Sequence, residues 1–494
     1  MTQGLSVKQL TFYYHPESDE PILEDFNIEI PQGSVVLFTG ASGCGKSTLC
    51  HILAGIYPKH SGHISHGEVL FNGQDIQNLP AAERAKTVGL MFQNPNLQFC
   101  MNTVENELIF CLENIQTPRA DIQPKVDETL SFCHIESLRH RELYTLSGGE
   151  KQQVMLACMI ALGSQYIILD EPFANIDPAT SKKLCDRLAA YQQEHQATLI
   201  IVDHHISNFI NIADEMIVLG PKGKILYRHI DRNNLSQYSD KLTEAGVALP
   251  KQAYRPTLFE PSEPIKHAPI FTLKNVGIRY EDRQILNDIN LDFYRGKMTA
   301  LTGKSGSGKS SLLSALSRML NYQGTIFLQD KPIKKISAKS YAIKVGIVFQ
   351  NPLDQFITNS VYDEIAFSLP EIAHQAEIPT LVQYYLQQVN LWQYRDFSPY
   401  MLSQGQQRRL AVCALMACQC EILLCDEPTY GLDRRSAQNM MNFLLRQVKE
   451  RHISIIFTTH DLELAKSYGQ YWYHCEEGTI INCYTGSEES QCNI

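Results

Sequence analysis

No stretch of this chain holds the roughly 18 consecutive apolar residues that crossing a bilayer requires, so a membrane-embedded protein is not expected. The opening MTQGLSVKQL has no charged segment followed by an apolar one, so no signal peptide is expected either. A basic excess is also missing: 43 Lys and Arg stand against 53 Asp and Glu, a formal net charge of -10. That balance argues against a protein that coats duplex or RNA, whose affinity comes mainly from cations on phosphate. The 14 cysteines form no framework. Scattered in apolar surroundings, as Cys158, Cys413 and Cys425 are, they are expected to be reduced thiols of a cytoplasmic chain. Cys418 and Cys420 lack a second pair at zinc spacing and are read as structural. His204 and His205 have no Cys or carboxylate cluster beside them that would complete a metal site.

What the chain does have is repetition, and a long repeat decides the fold before any local reading does. GASGCGKST at 40–48 returns as GKSGSGKSS at 303–311, and MFQNPNLQF at 91–99 as VFQNPLDQF at 348–356. TVENELIF (103–110) returns as SVYDEIAF (360–367), TLSGGEKQQ (145–153) as MLSQGQQRR (401–409), and IILDEPFANID (167–177) as LLCDEPTYGLD (423–433). Two homologous units in tandem follow, expected over residues 1–230 and 269–494. Between them, 231–268 reads as a partly packed spacer. Five prolines between Pro250 and Pro269 cannot continue a helix or sit in a central strand, and its charges cancel.

Within each unit the pattern is α/β. SVVLFTG (34–40) is a β-branched run ending at a glycine loop, and STLCHILAGI after it has helical periodicity. YIILDE, EILLCDE, TLIIVDHH and ISIIFTTH are short apolar runs, as expected of parallel strands buried on both faces and joined by helices. The pattern G-x-x-x-x-G-K-[ST] appears twice, as Gly40…Gly45-Lys46-Ser47 and Gly303…Gly308-Lys309-Ser310. Its glycines let backbone N–H groups turn inward around phosphate oxygens, its Lys reaches the β- and γ-phosphates, and its hydroxyl coordinates Mg²⁺. The following helix adds its positive N-terminal end. Asp170-Glu171 and Asp426-Glu427 each close an apolar strand downstream of such a loop. There the Asp is suited to hold Mg²⁺ and the Glu to orient and deprotonate an attacking water.

LSGGE and LSQGQ, each upstream of a DEP strand, resemble the signature sequence of ATP-binding-cassette (ABC) ATPases. The resemblance covers nearly all of the chain except the spacer and the last ten or so residues. It implies two tandem P-loop NTPase domains, each a mostly parallel sheet core with an antiparallel edge sheet and a helical signature subdomain. It also implies ATP and Mg²⁺ as cofactors and ATP hydrolysis as the reaction. Gln93 and Gln350 match the family's Q-loop, and Asp177 and Asp433 its D-loop. His204 stands as far beyond Glu171 as His460 beyond Glu427, so these two match the switch histidine and His205 is a bystander. Tyr14 and Tyr280 lie where the family stacks an aromatic on adenine, with Tyr13 competing for the role of Tyr14.

If the family's arrangement holds, two head-to-tail cassettes close on two ATPs. The resemblance assigns one nucleotide to Gly40, Ser42, Gly43, Gly45, Lys46, Ser47 and Thr48, with Gln93, Asp170, Glu171 and His204, completed by Ser403 and Gly405. The other falls to Gly303, Ser305, Gly306, Gly308, Lys309, Ser310 and Ser311, with Gln350, Asp426, Glu427 and His460, completed by Ser147, Gly148 and Gly149. Mg²⁺ is assigned to Ser47, Gln93 and Asp170 in the first site and to Ser310, Gln350 and Asp426 in the second. Glu171, Glu427, His204 and His460 take the catalytic roles. At Gln404 the signature departs from its usual Gly, which implies unequal sites, the one using Ser403 being slower. Cys44, inside the first phosphate loop, suggests sensitivity to thiol reagents.

Within the family, FQNPNLQF and FQNPLDQF resemble the FQNPxxQ pattern of energy-coupling-factor (ECF) importers of vitamins and metal ions. There the second Gln, here Gln98 and Gln355, lies on a short helix facing the membrane subunit. The implied partners are an integral membrane scaffold (T-type) subunit and a small substrate-binding membrane subunit, with the chain peripheral on the cytoplasmic face and no nucleic acid bound. A tandem ribosome factor of the ABC-F type would carry a long charged hairpin where this spacer is short and neutral. The tandem ATPase of sugar importers fits the paired FQNPxxQ motifs less well. Repair or chromosome-organising ATPases need long heptad segments, which are absent.

Overall fold

A computed structural model describes residues 4–14, 20–41, 43–173, 178–204, 206–247, 249, 268–280, 283–304, 306–370, 376–430, 432 and 434–484. The chain divides into two compact units, Met1–Pro250 and Lys251–Ile494.

The apolar runs become the inner strands of a six-stranded sheet in each unit. In the first, the order across the sheet is Ile225–Ile230, Glu215–Leu219, Val35–Gly40, Thr198–Val202, Tyr166–Asp170 and Val88–Met91. All neighbours are parallel except the Ile225–Ile230 edge. The second unit repeats this order with Thr479–Tyr484, Tyr471–Glu476, Met298–Gly303, Ser454–Thr458, Ile422–Cys425 and Val345–Val348. Val35–Gly40, Thr198–Val202 and Tyr166–Asp170 are buried at every residue, because helices and a second sheet cover both faces. That second sheet has four antiparallel strands in each unit: Leu23–Pro31, Gly4–Tyr13, His63–Phe71 and Gln74–Asp75 in the first, and Arg283–Tyr294, Pro269–Tyr280, Gln323–Leu328 and Lys331–Pro332 in the second.

Two apolar clusters fill each unit. In the first, one cluster joins the antiparallel sheet to the helix Lys46–Leu53 through Leu5, Phe12, Phe38 and Leu49. The other seats the helices Val104–Asn114, Arg119–Cys133 and Gly148–Leu162 against the opposite face of the parallel sheet. Val361–Ser368, Ile378–Gln388 and Gln404–Ala417 form the matching helical layer of the second unit. The expected α/β class, with parallel cores, antiparallel sheets and a helical layer, is the observed one.

Residues 231–247 pack on the first unit as a short helical extension. Leu242 and Val247 are buried in its helical-side core, and the Lys241 ammonium sits 5.5 Å from the rings of both Tyr227 and Tyr238. Most of the proline-bearing stretch beyond lies outside the described residues. Among those described, every cysteine is free, and no helix is long and apolar enough to cross a membrane.

Candidate functional site

Each glycine loop joins the buried central strand to a helix. The strand Val35–Gly40 ends where the loop begins, and Gly45 caps the helix Lys46–Leu53 with φ 97°. A Cβ at Gly45 would stand 2.8 Å from Leu23 Cδ2 and 3.1 Å from the Ile22 carbonyl, so both conformation and space require glycine. Gly308 repeats this at φ 101° before Lys309–Leu316. At Gly43 and Gly306 a Cβ would meet nothing within 4 Å: both glycines face open space. Lys46 folds its Nζ back to donate to the Gly40 and Ala41 carbonyls at 2.9 Å each. Lys309 does likewise to Gly303 (2.8 Å) and Lys304 (2.9 Å), and burial holds its ammonium below the ordinary lysine range. Ser42 and Ser305 lie outside the described residues.

The strand that ends in Asp170 runs two places from the loop strand, so its last carboxylate arrives beside the loop helix. Asp170 is 3 % exposed, and one of its oxygens, Oδ1, is buried without a hydrogen-bond partner. Burial, reinforced by the neighbouring Glu171 charge, pushes its carboxyl up to about 7, against a hydrogen bond from Ser47 that works the other way. Asp426 is also raised by burial, but Thr458 offsets part of that. Thr458 Oγ1 donates to Asp426 Oδ1 at 2.7 Å and accepts from the Glu427 N–H at 2.8 Å. In the first unit the Glu171 N–H goes instead to the Val202 carbonyl, 2.8 Å. Ser47 and Ser310 thus each meet the Asp of their own unit.

Both glutamates sit in left-handed backbone, Glu171 at φ 48° and Glu427 at φ 51°. A non-glycine residue there costs about 1–2 kcal/mol. The same departure at the same place in both units marks a position where geometry is retained at the expense of stability. The turn aims each carboxylate at the histidine from the next strand: His204 Nε2 lies 3.0 Å from Glu171 Oε1, and His460 Nε2 lies 2.9 Å from Glu427 Oε1. Burial works to raise the Glu427 carboxyl, but His460, Lys309 and Arg408 together outweigh it and leave it below the usual carboxylate range. Gln93 Nε2 donates to Glu171 Oε2 at 2.5 Å, whereas Gln350 is exposed.

Ser147 and Ser403 are N-caps of Gly148–Leu162 and Gln404–Ala417, each within a reciprocal capping box, with Glu150 and Gln406 respectively. Ser147, Gly148 and Ser403 are exposed, whereas Gly405 is buried. Of the two competing tyrosines, Tyr14 reaches the loop helix, its hydroxyl 2.8 Å from Thr48 Oγ1. Tyr280 is 63 % exposed at a strand end. Gln98 and Gln355 follow, rather than lie on, the short 3₁₀ turns Pro95–Leu97 and Pro352–Asp354, and their amides turn inward. Gln98 bonds the Leu90 carbonyl (2.6 Å) and the Phe92 N–H (3.0 Å) of its own strand and loop, and Gln355 bonds the Ala411 carbonyl (2.9 Å). Leu97 and Ile357 are exposed apolar side chains there. Asp177, Asp433, His205 and the Gln404 side chain fall outside the described residues.

Thr458 and Arg408 were not singled out from sequence, nor was a ring ladder beside Tyr14. In that ladder, Tyr57 stacks on Phe12 (centroids 5.6 Å) and on His51 (5.0 Å), and His51 stacks on Phe92 (5.3 Å). Only the Thr458-Thr459-His460 run against Val202-Asp203-His204 hints at the first of these in sequence.

Residues 23–174 and 286–430 match the ABC transporter family. Among curated proteins, the chain is 34 % identical over 487 residues to the "Putative HMP/thiamine import ATP-binding protein YkoD" of Bacillus subtilis (strain 168), covering 94 % of this chain and 88 % of the other. It is 30 % identical over 517 residues to a "Putative ABC transporter ATP-binding protein" of Methanosarcina mazei, covering 95 % and 87 %. Among solved structures, "RNase-L Inhibitor" superposes with a TM-score of 0.60 over 98 % of this chain and 91 % of that one, at 17 % identity, a likeness of fold alone.

Proposed function

The chain belongs to the ABC transporter family as an ATP-binding protein with two fused cassettes that hydrolyses ATP, and on that premise we propose that it energises import of a small solute through separate membrane subunits of the ECF kind. The solute class is a vitamin, a vitamin precursor or a metal ion. The observation that carries the ATPase half of this reading is the intact Asp-Glu-His set in both units, with Glu–His distances of 3.0 and 2.9 Å. The importer half is supported by the paired FQNPxxQ motifs and by the similarity to the putative HMP/thiamine import ATP-binding protein of Bacillus subtilis.

The residues fit a Mg²⁺–nucleotide. Open space faces Gly43 and Gly306, Asp170 has a buried oxygen without a partner, and Ser47 and Ser310 stand beside the two Asp residues. Among the described residues no group of three His, Cys, Asp or Glu could hold a metal alone, which suits an ion that takes few protein ligands and completes its shell with phosphate and water. Ser47, Asp170 and Gln93 would hold it in the first unit, and Ser310, Asp426 and Gln350 in the second. Bound Mg²⁺ supplies charge neutralisation on the β- and γ-phosphate oxygens.

On nucleotide binding, Lys46 and Lys309 exchange their carbonyl partners for phosphate oxygens, and the loop N–H groups surround the β-phosphate. Glu171 and Glu427 accept a proton from the water whose oxygen bonds to the γ-phosphorus as the bond to the bridging oxygen of ADP breaks. His204 and His460, already against these carboxylates, hold the base in line. Ser147 and Ser403, at helix N-termini, are suited to meet that same phosphate when the cassettes close. Its loss removes the contacts that favour closure, and hydrolysis resets the subunit.

Affinity capture of the tagged chain from detergent-solubilised native membranes, with mass spectrometry of the bound proteins, tests the importer reading. A polytopic scaffold together with a small membrane protein is the expected result, and the small protein identifies the solute class. Ribosomal proteins without an integral membrane partner would overturn the reading in favour of a translation ATPase.

A further inference from the structure

Arg408 lies on the signature helix Gln404–Ala417 and is 0 % exposed. None of its acceptors is a carboxylate. Its Nη2 donates to the Gln350 carbonyl at 2.5 Å, and its Nη1 donates to the carbonyls of Phe349 (3.1 Å) and Asp426 (3.4 Å). Its guanidinium carbon stands 5.5 Å from the Tyr430 ring centre. Burial pulls its basicity down to about 10. A buried cation is expensive; the nearby Glu427 and Asp426 charges offset part of that cost, and the planar fork suits Arg alone among cations to reach several carbonyls at once. Those carbonyls belong to two functional segments: from the signature helix, Arg408 holds the Q-loop at Phe349–Gln350 and the end of the Asp426-Glu427 strand. Gln355 adds a bond in the same direction, from the Q-loop extension to Ala411 on that helix, 2.9 Å.

The first unit is wired differently. Gln152 occupies the position of Arg408, neutral and shorter, at 1 % exposure. Gln98 bonds Leu90 and Phe92 within its own strand and loop rather than the helix. From that helix, the half-buried Lys151 donates from Nζ to Asn96 Oδ1, 2.8 Å.

We propose that Arg408 is a positioning residue that fastens the second cassette's Q-loop to its signature helix and its Asp426-Glu427 strand end, so that Gln350 moves with the helix as one body. The inference rests on the ATPase reading above and deepens it: the second cassette's Q-loop answers nucleotide together with its signature helix. Arg408 touches no substrate; it acts through Gln350.

Steady-state ATPase of the full chain tests this with Arg408→Met, Arg408→Lys, Gln350→Ala and the double variant Arg408→Met/Gln350→Ala. Arg408→Met removes the donors while keeping an unbranched side chain that brings no polar group of its own. It is expected to lower kcat about tenfold, the scale of a small misplacement in an active site, while KM for ATP stays within about twofold. Arg408→Lys, which keeps a cation and some donors, restores most of the rate. In the Gln350→Ala background, Arg408→Met causes no further loss, because the strut then has nothing to position. Unchanged kcat in Arg408→Met, or losses that multiply in the double variant, would overturn the proposal. If Arg408→Met does not fold, the cycle is run with Arg408→Lys, where a smaller loss that vanishes in the Gln350→Ala background supports the strut and a multiplied loss overturns it. Gln350→Ala that leaves kcat untouched refutes the reading of the site itself and takes the strut with it, a result distinct from an active Gln350 with a silent Arg408.

Discussion

Asp170→Asn tests the electrostatics of the first site directly. Burial pushes the Asp170 carboxyl from an ordinary 3.8 up to about 7 in the folded chain. The sign follows from proton linkage. The folded state keeps the proton that the unfolded state releases, so the group costs nothing below about pH 4, and the cost grows with rising pH until it levels off above about 7. At about 1.4 kcal/mol per pKa unit, the full cost is about 4 kcal/mol. Asparagine removes that charge but places an amide where Asp170 Oδ1 has no partner, a penalty of about 1–3 kcal/mol. The net gain at pH 8 is therefore about 1–3 kcal/mol for the nucleotide-free first unit. For a unit of this size that is a rise of about 3–10 °C in Tm. At pH 5 the charge cost is down to about 1.7 kcal/mol, within the amide penalty, and the gain is expected to vanish or reverse. Scanning calorimetry of the full chain at both pH values reads this out. Asp426→Asn serves as comparison, with a smaller gain because Thr458 already donates to that carboxylate. With MgATP the order inverts, since the variant loses the ligand that uses the carboxylate. A fall in Tm at pH 8, or equal gains at pH 5 and pH 8, would refute the reasoning. The unfavourable charge of the empty site is then what bound Mg²⁺ relieves, which ties stability to occupancy.

Two shorter predictions concern activity. Glu171→Gln and Glu427→Gln should each keep ATP binding and lose turnover at their own site, about 10²-fold or more if the carboxylate is the general base. The total ATPase rate of the assembled complex should fall further with Glu427→Gln, because Gln404 interrupts the glycines of the signature that the resemblance assigns to the first site; equal losses would sink the idea of unequal sites. Cys44 is 3 % exposed, and Lys46 Nζ lies 3.7 Å from its sulfur, so a maleimide adduct there would displace the phosphate-binding amine and abolish binding at that loop. Peptide mapping after alkylation should show Cys44 protected by ATP, and labelling at the same rate with and without nucleotide would end that hypothesis.

Much of this protein was legible before any coordinates, because its strongest signals are local. A β-branched run ending in glycine, a G-x-x-x-x-G-K-[ST] loop and a helical period are consecutive in sequence, and their order alone implies the strand, loop and helix now seen at Val35–Leu53 and Met298–Leu316. Repetition of five motifs gave the two α/β units, and equal spacing from Glu to His picked His204 and His460. The capping boxes at Ser147 and Ser403 likewise lie within four residues.

Tertiary structure decided what depends on partners far along the chain. No local pattern says that Asp170 ends up desolvated while Thr458 satisfies Asp426 and not its counterpart, because those contacts join strands some 30 residues apart. Left-handed backbone at Glu171 and Glu427 is imposed by the sheet around it rather than by their own preference. Gln98 and Gln355 share a motif, yet one amide bonds its own strand and the other the signature helix. Arg408 looks in sequence like one more surface cation beside Arg409; only packing of the helix onto two strand ends buries it and turns its fork onto three carbonyls. Sequence determines which groups are present and in what local conformation, whereas burial, and with it the charge state and the partner of each group, is set by the three-dimensional packing of segments that are distant along the chain.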